Sequence, residues 1–311
     1  MGIYERDYTG RMALGQSGNM LTMLLAINLL SYVILGFIKV LFIFHFADST
    51  TALTHFHDTI LYWFAMPVKP MEILYRPWTI ITQLFVHNDF WSIFGNMIWL
   101  WTFGYIFQDL GGNRRIVPVY IYGGVAGALS LVLVYNNMPS LQGLTANVWI
   151  FGASPAVMAV AMATTLSAPN YRIFPLLGGG IPLWVITVFY LLIDLASIPY
   201  VNPAIPVSHI VGALMGLLFI VILRNGMDMG KWMNAVFDWI GNLFNPNRPK
   251  KGKSFREELF YRSKGDPYTK QTKLTQQRVD MILDKINQQG FNALTNEEKE
   301  LLKKAGENDL S

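Results

Sequence analysis

No cysteine occurs in the 311 residues, and that alone excludes disulfides, thiolate catalysis and cysteine-ligated metal sites. Charge is also scarce. Asp, Glu, Lys and Arg together make up 14% of the chain against 52% hydrophobic residues, where a soluble domain carries about 25% charged residues. The net charge of +4 is concentrated in the last quarter of the chain. It reads as a cytoplasmic surface beside a membrane and not as a nucleic-acid groove, because basic and aromatic residues are not interleaved. No nucleic-acid partner is expected.

What the sequence does have is clustered apolar runs, near or above the roughly 20 residues needed to cross a hydrocarbon core of about 30 Å. Residues 1–19 are polar and mixed in charge, with Glu5, Arg6, Asp7 and Arg11, and are expected to form a cytoplasmic N-terminal segment. The run from Met20 to His45 starts too late and runs too long for a signal peptide and lacks a small-residue cleavage site. It reads as a retained first span. Residues 46–78 are semi-polar, and the aromatic stretch Ile60 to Met66 suggests structure lying at the interface.

Five further spans are expected at Phe90 to Phe107, Ile116 to Tyr135, Gly152 to Ala168, Pro182 to Ile198 and Pro206 to Leu223. The fold class is therefore an all-α membrane protein, a six-helix transmembrane bundle over residues 20–225. Arg114 and Arg115 in one connection, Arg172 in another and the lysine-rich tail assign one side to the cytoplasm. The connections 136–151 and 199–205 carry no Lys or Arg and belong outside. Both termini are then cytoplasmic, with Lys69 and Arg76 as exceptions on the outer side.

After the last span, residues 226–245 have the aromatic, mixed helical spacing of an interfacial amphipathic segment. Residues 246–311 read as a cytoplasmic tail with a helical hairpin at 274–305. Val279, Ile282, Leu283 and Ile286 share helical spacing up to Gly290. Thr295 and Glu298 form a capping box ahead of Leu301 and Leu302.

Three polar residues inside the spans stand out. Asn96, Ser154 and His209 each fall within about 3–10 Å of the outer ends of their helices, at 1.5 Å per residue. Taken singly, Gly152-Ala153-Ser154 reads as small-residue helix packing, and Asn96 as an interhelical hydrogen bond. A histidine inside a bilayer needs a partner or a wet cavity, and a serine at the same depth supplies a reason for it. A neutral imidazole that accepts the hydroxyl proton makes the serine a nucleophile. The Ser154 backbone N–H at a helix N-terminus and the Asn96 amide are candidate donors to a developing oxyanion. Gly212 and Gly216 form a GxxxG pattern on the histidine helix that allows close approach of a neighbour.

These residues occur in an order that resembles the rhomboid family of intramembrane serine proteases, in its bacterial six-span form with a soluble tail. The pattern is Arg76-Pro77-Trp78, His87, Phe94-Gly95-Asn96-Met97, Phe151-Gly152-Ala153-Ser154 and Ser208-His209-Ile210-Val211-Gly212. The connection from Phe103-Gly104 through Asp109, Gly112 and Arg115 into Gly123-Gly124-Val125-Ala126-Gly127 resembles the family's turn between spans two and three.

The resemblance covers roughly residues 15–225. It implies an intramembrane serine endopeptidase with Ser154 as nucleophile, His209 as general base, and Asn96 with Ser154 as oxyanion donors. It further implies a dyad without an acidic third member and no metal or cofactor. Substrates would be membrane-anchored proteins, cut in or near their transmembrane segments, with spans two and five and the first loop gating access. The setting would be a multi-pass protein of the bacterial inner membrane.

Pro155, Ser92 and Met158 stand where the family usually has glycine, histidine and an aromatic. They motivate the alternative of a weak or inactive pseudoprotease that binds transmembrane helices. A small-molecule transporter or channel fits less well, because charge is nearly absent from spans two to four and no inverted repeat is visible. The chain also lacks a His-Glu-x-x-His zinc helix and paired intramembrane aspartates. His55 and His57 have no third ligand in the sequence and are assigned no metal. Asp194, near the outer end of span five, could orient a histidine or serve as a polar gate residue; it is expected to reach the outer interface. The tail's partner, the substrate and the oligomeric state are not encoded in any motif.

Overall fold

The computed structural model describes residues 18–139, 141, 148–173, 179–197, 202–243 and 276–308. The polar segment 1–17 and the linker 244–275 lie outside the described residues. The chain divides into two units, Met1–Phe244 and Asn245–Ser311. The chain forms an all-α membrane fold, and the helices fall where the apolar runs lie.

The first helix, α1 (Met20–His45), is capped by the Asn19 side chain, which accepts the Thr22 N–H at 3.0 Å. The semi-polar segment after it is folded: α2 (Ser49–Thr59), a two-residue strand β1 (Met66–Pro67), α3 (Pro70–Tyr75) and α4 (Thr79–Thr82). Then come α5 (Phe90–Gly111), capped by Asp89 accepting the Ser92 N–H, and α6 (Ile116–Asn137). Strand β2 (Trp149–Ile150) pairs antiparallel with β1, Met66 opposite Ile150 and Pro67 opposite Trp149. It leads into α7 (Ser154–Ser167), and α8 (Leu183–Ser197), α9 (Ala204–Arg224) and α10 (Lys231–Leu243) complete the unit.

Among the described residues, three helices, Met20–His45, Asn113–Asn137 and Ala204–Arg224, are long and apolar enough to cross a bilayer by hydropathy alone. Helix α5 has 22 residues, but its Trp, Tyr, Asn and Gln lower its hydropathy. The short helix α7 is the informative one. Its 14 residues rise about 21 Å, less than the hydrocarbon thickness of about 30 Å. Ten of those 14 residues are buried, so α7 lies inside the protein and not against lipid.

The burial of α7 rests on small residues. A Cβ placed on Gly212 would lie 2.3 Å from the Pro155 carbonyl oxygen, and one on Gly216 would lie 2.2 Å from the Ala159 oxygen. From α6, a Cβ on Gly127 would lie 2.3 Å from Pro155 Cβ and one on Gly123 2.1 Å from Ala159 Cβ. The paired steps of four residues show that α7 and α9 run parallel in backbone contact while α6 runs antiparallel. Close approach of this kind needs the absent side chains of glycine. Polar bonds add ties: Thr164 Oγ1 donates to the Phe103 carbonyl at 3.1 Å, and the buried Tyr120 hydroxyl reaches Leu84 O at 3.0 Å and Asn28 Oδ1 at 3.2 Å.

Among its described residues the second unit holds two α-helices, Gln276–Gln289 and Asn296–Asn308. Between them the capping box is present: Thr295 N–H donates to Glu298 at 2.8 Å, and Glu298 N–H donates to Thr295 Oγ1 at 3.3 Å. Lys285 also bonds Glu298 at 2.9 Å. These bonds hold the Glu298 carboxyl below its usual range, the Thr295 backbone first and the Lys285 ammonium next.

Candidate active site

Ser154 opens α7, and the chain before it explains why a helix begins there. Strand β2 is fixed by β1, after which the Gly152 N–H donates to the Gln83 carbonyl at 2.9 Å. Gly152 has φ of +124°, a conformation that side chains rarely adopt. Non-helical backbone at membrane depth is tolerated only where protein or water satisfies it, and here the β ribbon and Gln83 do so. Pro155 is the second helical residue, where its missing N–H forfeits no helical bond. The departure from glycine after Ser154 is therefore compatible with the helix. Met158 is fully buried one turn on.

His209 is set by the α7–α9 contact. Gly212 faces Pro155, and His209 is three residues earlier on α9, hence on the same face and one turn nearer the helix start. That level corresponds to the entrance of α7, where Ser154 sits. The Gly212 contact lies about 12 Å along α9 from Ala204, so the pair is recessed below the start of that helix. Both residues are partly accessible. No hydrogen bond joins Ser154 to His209 among the described residues; His209 Nδ1 instead meets Asp194 Oδ2 at 2.8 Å.

For Asp194 the structure departs from the expected outer-interface position and fits the other reading, a contact with a histidine. Asp194 does not reach the outer interface: the residue is 9% exposed and faces the bundle. The buried residues of α8 include Leu183, Thr187 and Asp194, one stripe at helical spacing, and polar residues within spans face the bundle interior. Thr187 on that stripe lies 2.6 Å from Thr165 of α7, hydroxyl to hydroxyl.

Asn96 is buried on α5, and its amide nitrogen lies 3.5 Å from His87 Nε2. The structure brings Asn96 to His87 and not into a bond with Ser154. His87, in the turn before α5, is 4% exposed. Burial pushes its imidazole down to about 4, outweighing the Phe85 backbone and Asp89, which both favour the protonated ring. It is held neutral beside Asn96. Ser92 is the third residue of α5 and donates its backbone N–H to Asp89.

Arg76 of the first loop is a structural residue. It is 3% exposed, its guanidinium stacks 3.7 Å above the Tyr62 ring, and it pairs with Glu72 at 3.2 Å. It also bonds the Tyr62 carbonyl. Lys69 pairs with the same carboxylate at 3.3 Å. Both positive charges of this loop are thus tied to the one Glu72 carboxylate. His55 stacks on Phe46 with ring centroids 4.5 Å apart.

The apolar bundle, with a short buried helix and polar groups recessed inside it, defines an all-α integral membrane protein. Residues 75–226 match the model of the Rhomboid domain, which supports a rhomboid-family membrane domain over that part of the chain. The match begins after α1. Residues 263–307 match the model of DUF6576, a family of unknown function. No curated protein matches the chain.

Proposed function

We propose that this protein is an intramembrane serine endopeptidase that cleaves membrane-anchored proteins in or near their transmembrane segments. The observation that carries the proposal is the parallel, glycine-mediated contact of α7 with α9, which puts Ser154 and His209 at one recessed level. Ser154 Oγ attacks the scissile carbonyl carbon as its proton passes to His209 Nε2; that proton then leaves with the amine as the C–N bond breaks. Water next attacks the acyl-enzyme, giving one proton to Nε2, and Ser154 recovers it with the carboxylate product released.

The oxyanion is stabilised by the Ser154 N–H at the start of α7, aided by the positive end of the helix dipole. Asn96 contributes the second donor. Its amide carries two N–H bonds, and the contact with His87 Nε2 uses one. The Ser154–His209 bond forms when substrate closes the site, as catalytic hydrogen bonds in unliganded enzymes are often long. No metal or cofactor takes part. The site faces the outside of a bacterial inner membrane, with both termini cytoplasmic. Helix α10 lies along the inner leaflet, exposing Trp232, Val236, Trp239 and Ile240, and the 274–305 hairpin is cytoplasmic.

A second reading is a pseudoprotease that binds transmembrane helices. It is favoured by the unbonded Ser154 and by Pro155, Ser92 and Met158. Purified protein in proteoliposomes with single-span reporter proteins decides between them. Cleavage that disappears in Ser154→Ala supports the enzyme. Reporter binding by wild type without cleavage supports the pseudoprotease.

A further inference from the structure

The geometry points to Asp194 as a third member of the catalytic group, a positioning residue that acts through His209. This rests on the protease assignment above and goes beyond the dyad that the family resemblance implies.

The His209 Nδ1 to Asp194 Oδ2 distance of 2.8 Å is that of a charge-assisted hydrogen bond. Both side chains are largely withdrawn from solvent, at 13% and 12% exposure. An imidazole has two nitrogens, and the bond made by one sets the protonation of the other. A carboxylate accepts, so Nδ1 must carry the hydrogen, leaving the Nε2 lone pair for the Ser154 proton. When Nε2 takes that proton, the imidazolium faces the Asp194 carboxylate, which stabilises the charge without taking the proton.

The placement fits this role. Asp194 comes from α8, and His209 from α9 one connection later, so the carboxylate approaches the ring from a different helix than the serine. An aspartate within a span is costly unless it has a partner, and a neutral residue there would cover the histidine with less strain. Asp194 on the inward stripe of α8, aimed at Nδ1, has a chemical reason to be an acid.

The test uses the full chain in detergent with a fluorophosphonate probe, which reacts at serine as fluoride leaves, so no natural substrate is needed. Inactivation kinetics separate kinact from the apparent KI. In Asp194→Asn, kinact is expected to fall on the order of 10²- to 10⁴-fold, as when a triad carboxylate is neutralised, with KI changed less than about threefold. Asp194→Glu should recover part of the loss.

In parallel, ¹⁵N-histidine NMR should report His209 protonated on Nδ1 in wild type and shifted toward Nε2–H in Asp194→Asn. His209→Ala provides the signal assignment. A folded Asp194→Asn protein with wild-type kinact and an unchanged tautomer overturns the role of Asp194 and leaves the protease assignment standing. Wild type that never reacts overturns the protease assignment; the tautomer shift then still supports the positioning contact, and its absence overturns that too.

Discussion

Helices α7 and α8 both contribute to the site, yet they are held by opposite means. Helix α7 is fused to α6 and α9 through glycines that leave no room for a Cβ. Helix α8 exposes Trp184, Val188, Phe189, Leu192, Ile193 and Leu195, and two of its ties to the bundle are polar, Thr187 to Thr165 and Asp194 to His209. Ser154, the proposed nucleophile, is thus built on a closely packed element, whereas Asp194, proposed to orient His209, sits on a helix with a largely bare outer face.

The sharpest break in that comparison removes the base. His209→Ala should lower fluorophosphonate reactivity on the order of 10⁴-fold or more while leaving the bundle folded, measured as labelling rate alongside thermal unfolding. Neutralising Asp194 comes next, as described above.

Breaking the rigid side should act on stability. The Cβ of Gly212→Val would meet the Pro155 carbonyl at 2.3 Å, and overpacking of this kind costs about 1–3 kcal/mol. The unfolding midpoint in detergent should fall and labelling should fall with it. If the variant melts like wild type, α7 and α9 are not in backbone contact.

His87 offers a pH test at the entrance to α5. Because burial lowers its folded pKa to about 4 from 6.5, the folded protein binds fewer protons than the unfolded chain between those values. The stability is fully present above about 6.5 and is lost as pH falls through about 4, to the extent of a few kcal/mol. His87→Gln should flatten this part of the stability profile relative to wild type; parallel profiles would contradict a buried neutral ring.

The smallest effect is expected at the loose side. Thr187→Val keeps the shape and removes a hydroxyl bond worth about 0.6 kcal/mol between membrane helices. Amide exchange should quicken in α8 with no change in α7. Equal acceleration in both helices would erase the distinction between them.

Much of this fold was legible because lipid demands long apolar runs. Helix ends fall within a few residues of the expected ones: α5 runs four residues past Phe107, and α7 starts at Ser154 where Gly152 was expected. Gly212 and Gly216 were readable as a close-approach face, since GxxxG has a steric meaning independent of partner. The partner itself, Pro155 and Ala159, was not.

The first loop was legible only as interfacial, because β1 and β2 have two residues each and pair across more than 80 positions, too short for any periodic signal. Ser154, Asn96 and His209 stand out in the sequence by residue type and depth. The inward turn of Asp194 is not legible there, because hydropathy reports where a helix ends and not how it is rotated, and only its rotation turns residue 194 inward. The Asn96–His87 contact depends on a turn geometry that composition does not encode.

The most direct measurement is residue-level mapping of the fluorophosphonate adduct by mass spectrometry of the intact, membrane-extracted protein. A single adduct on Ser154, absent from His209→Ala, is the predicted result. An adduct spread over other serines, or one on Ser154 that forms equally fast without His209, would contradict a serine activated by that histidine.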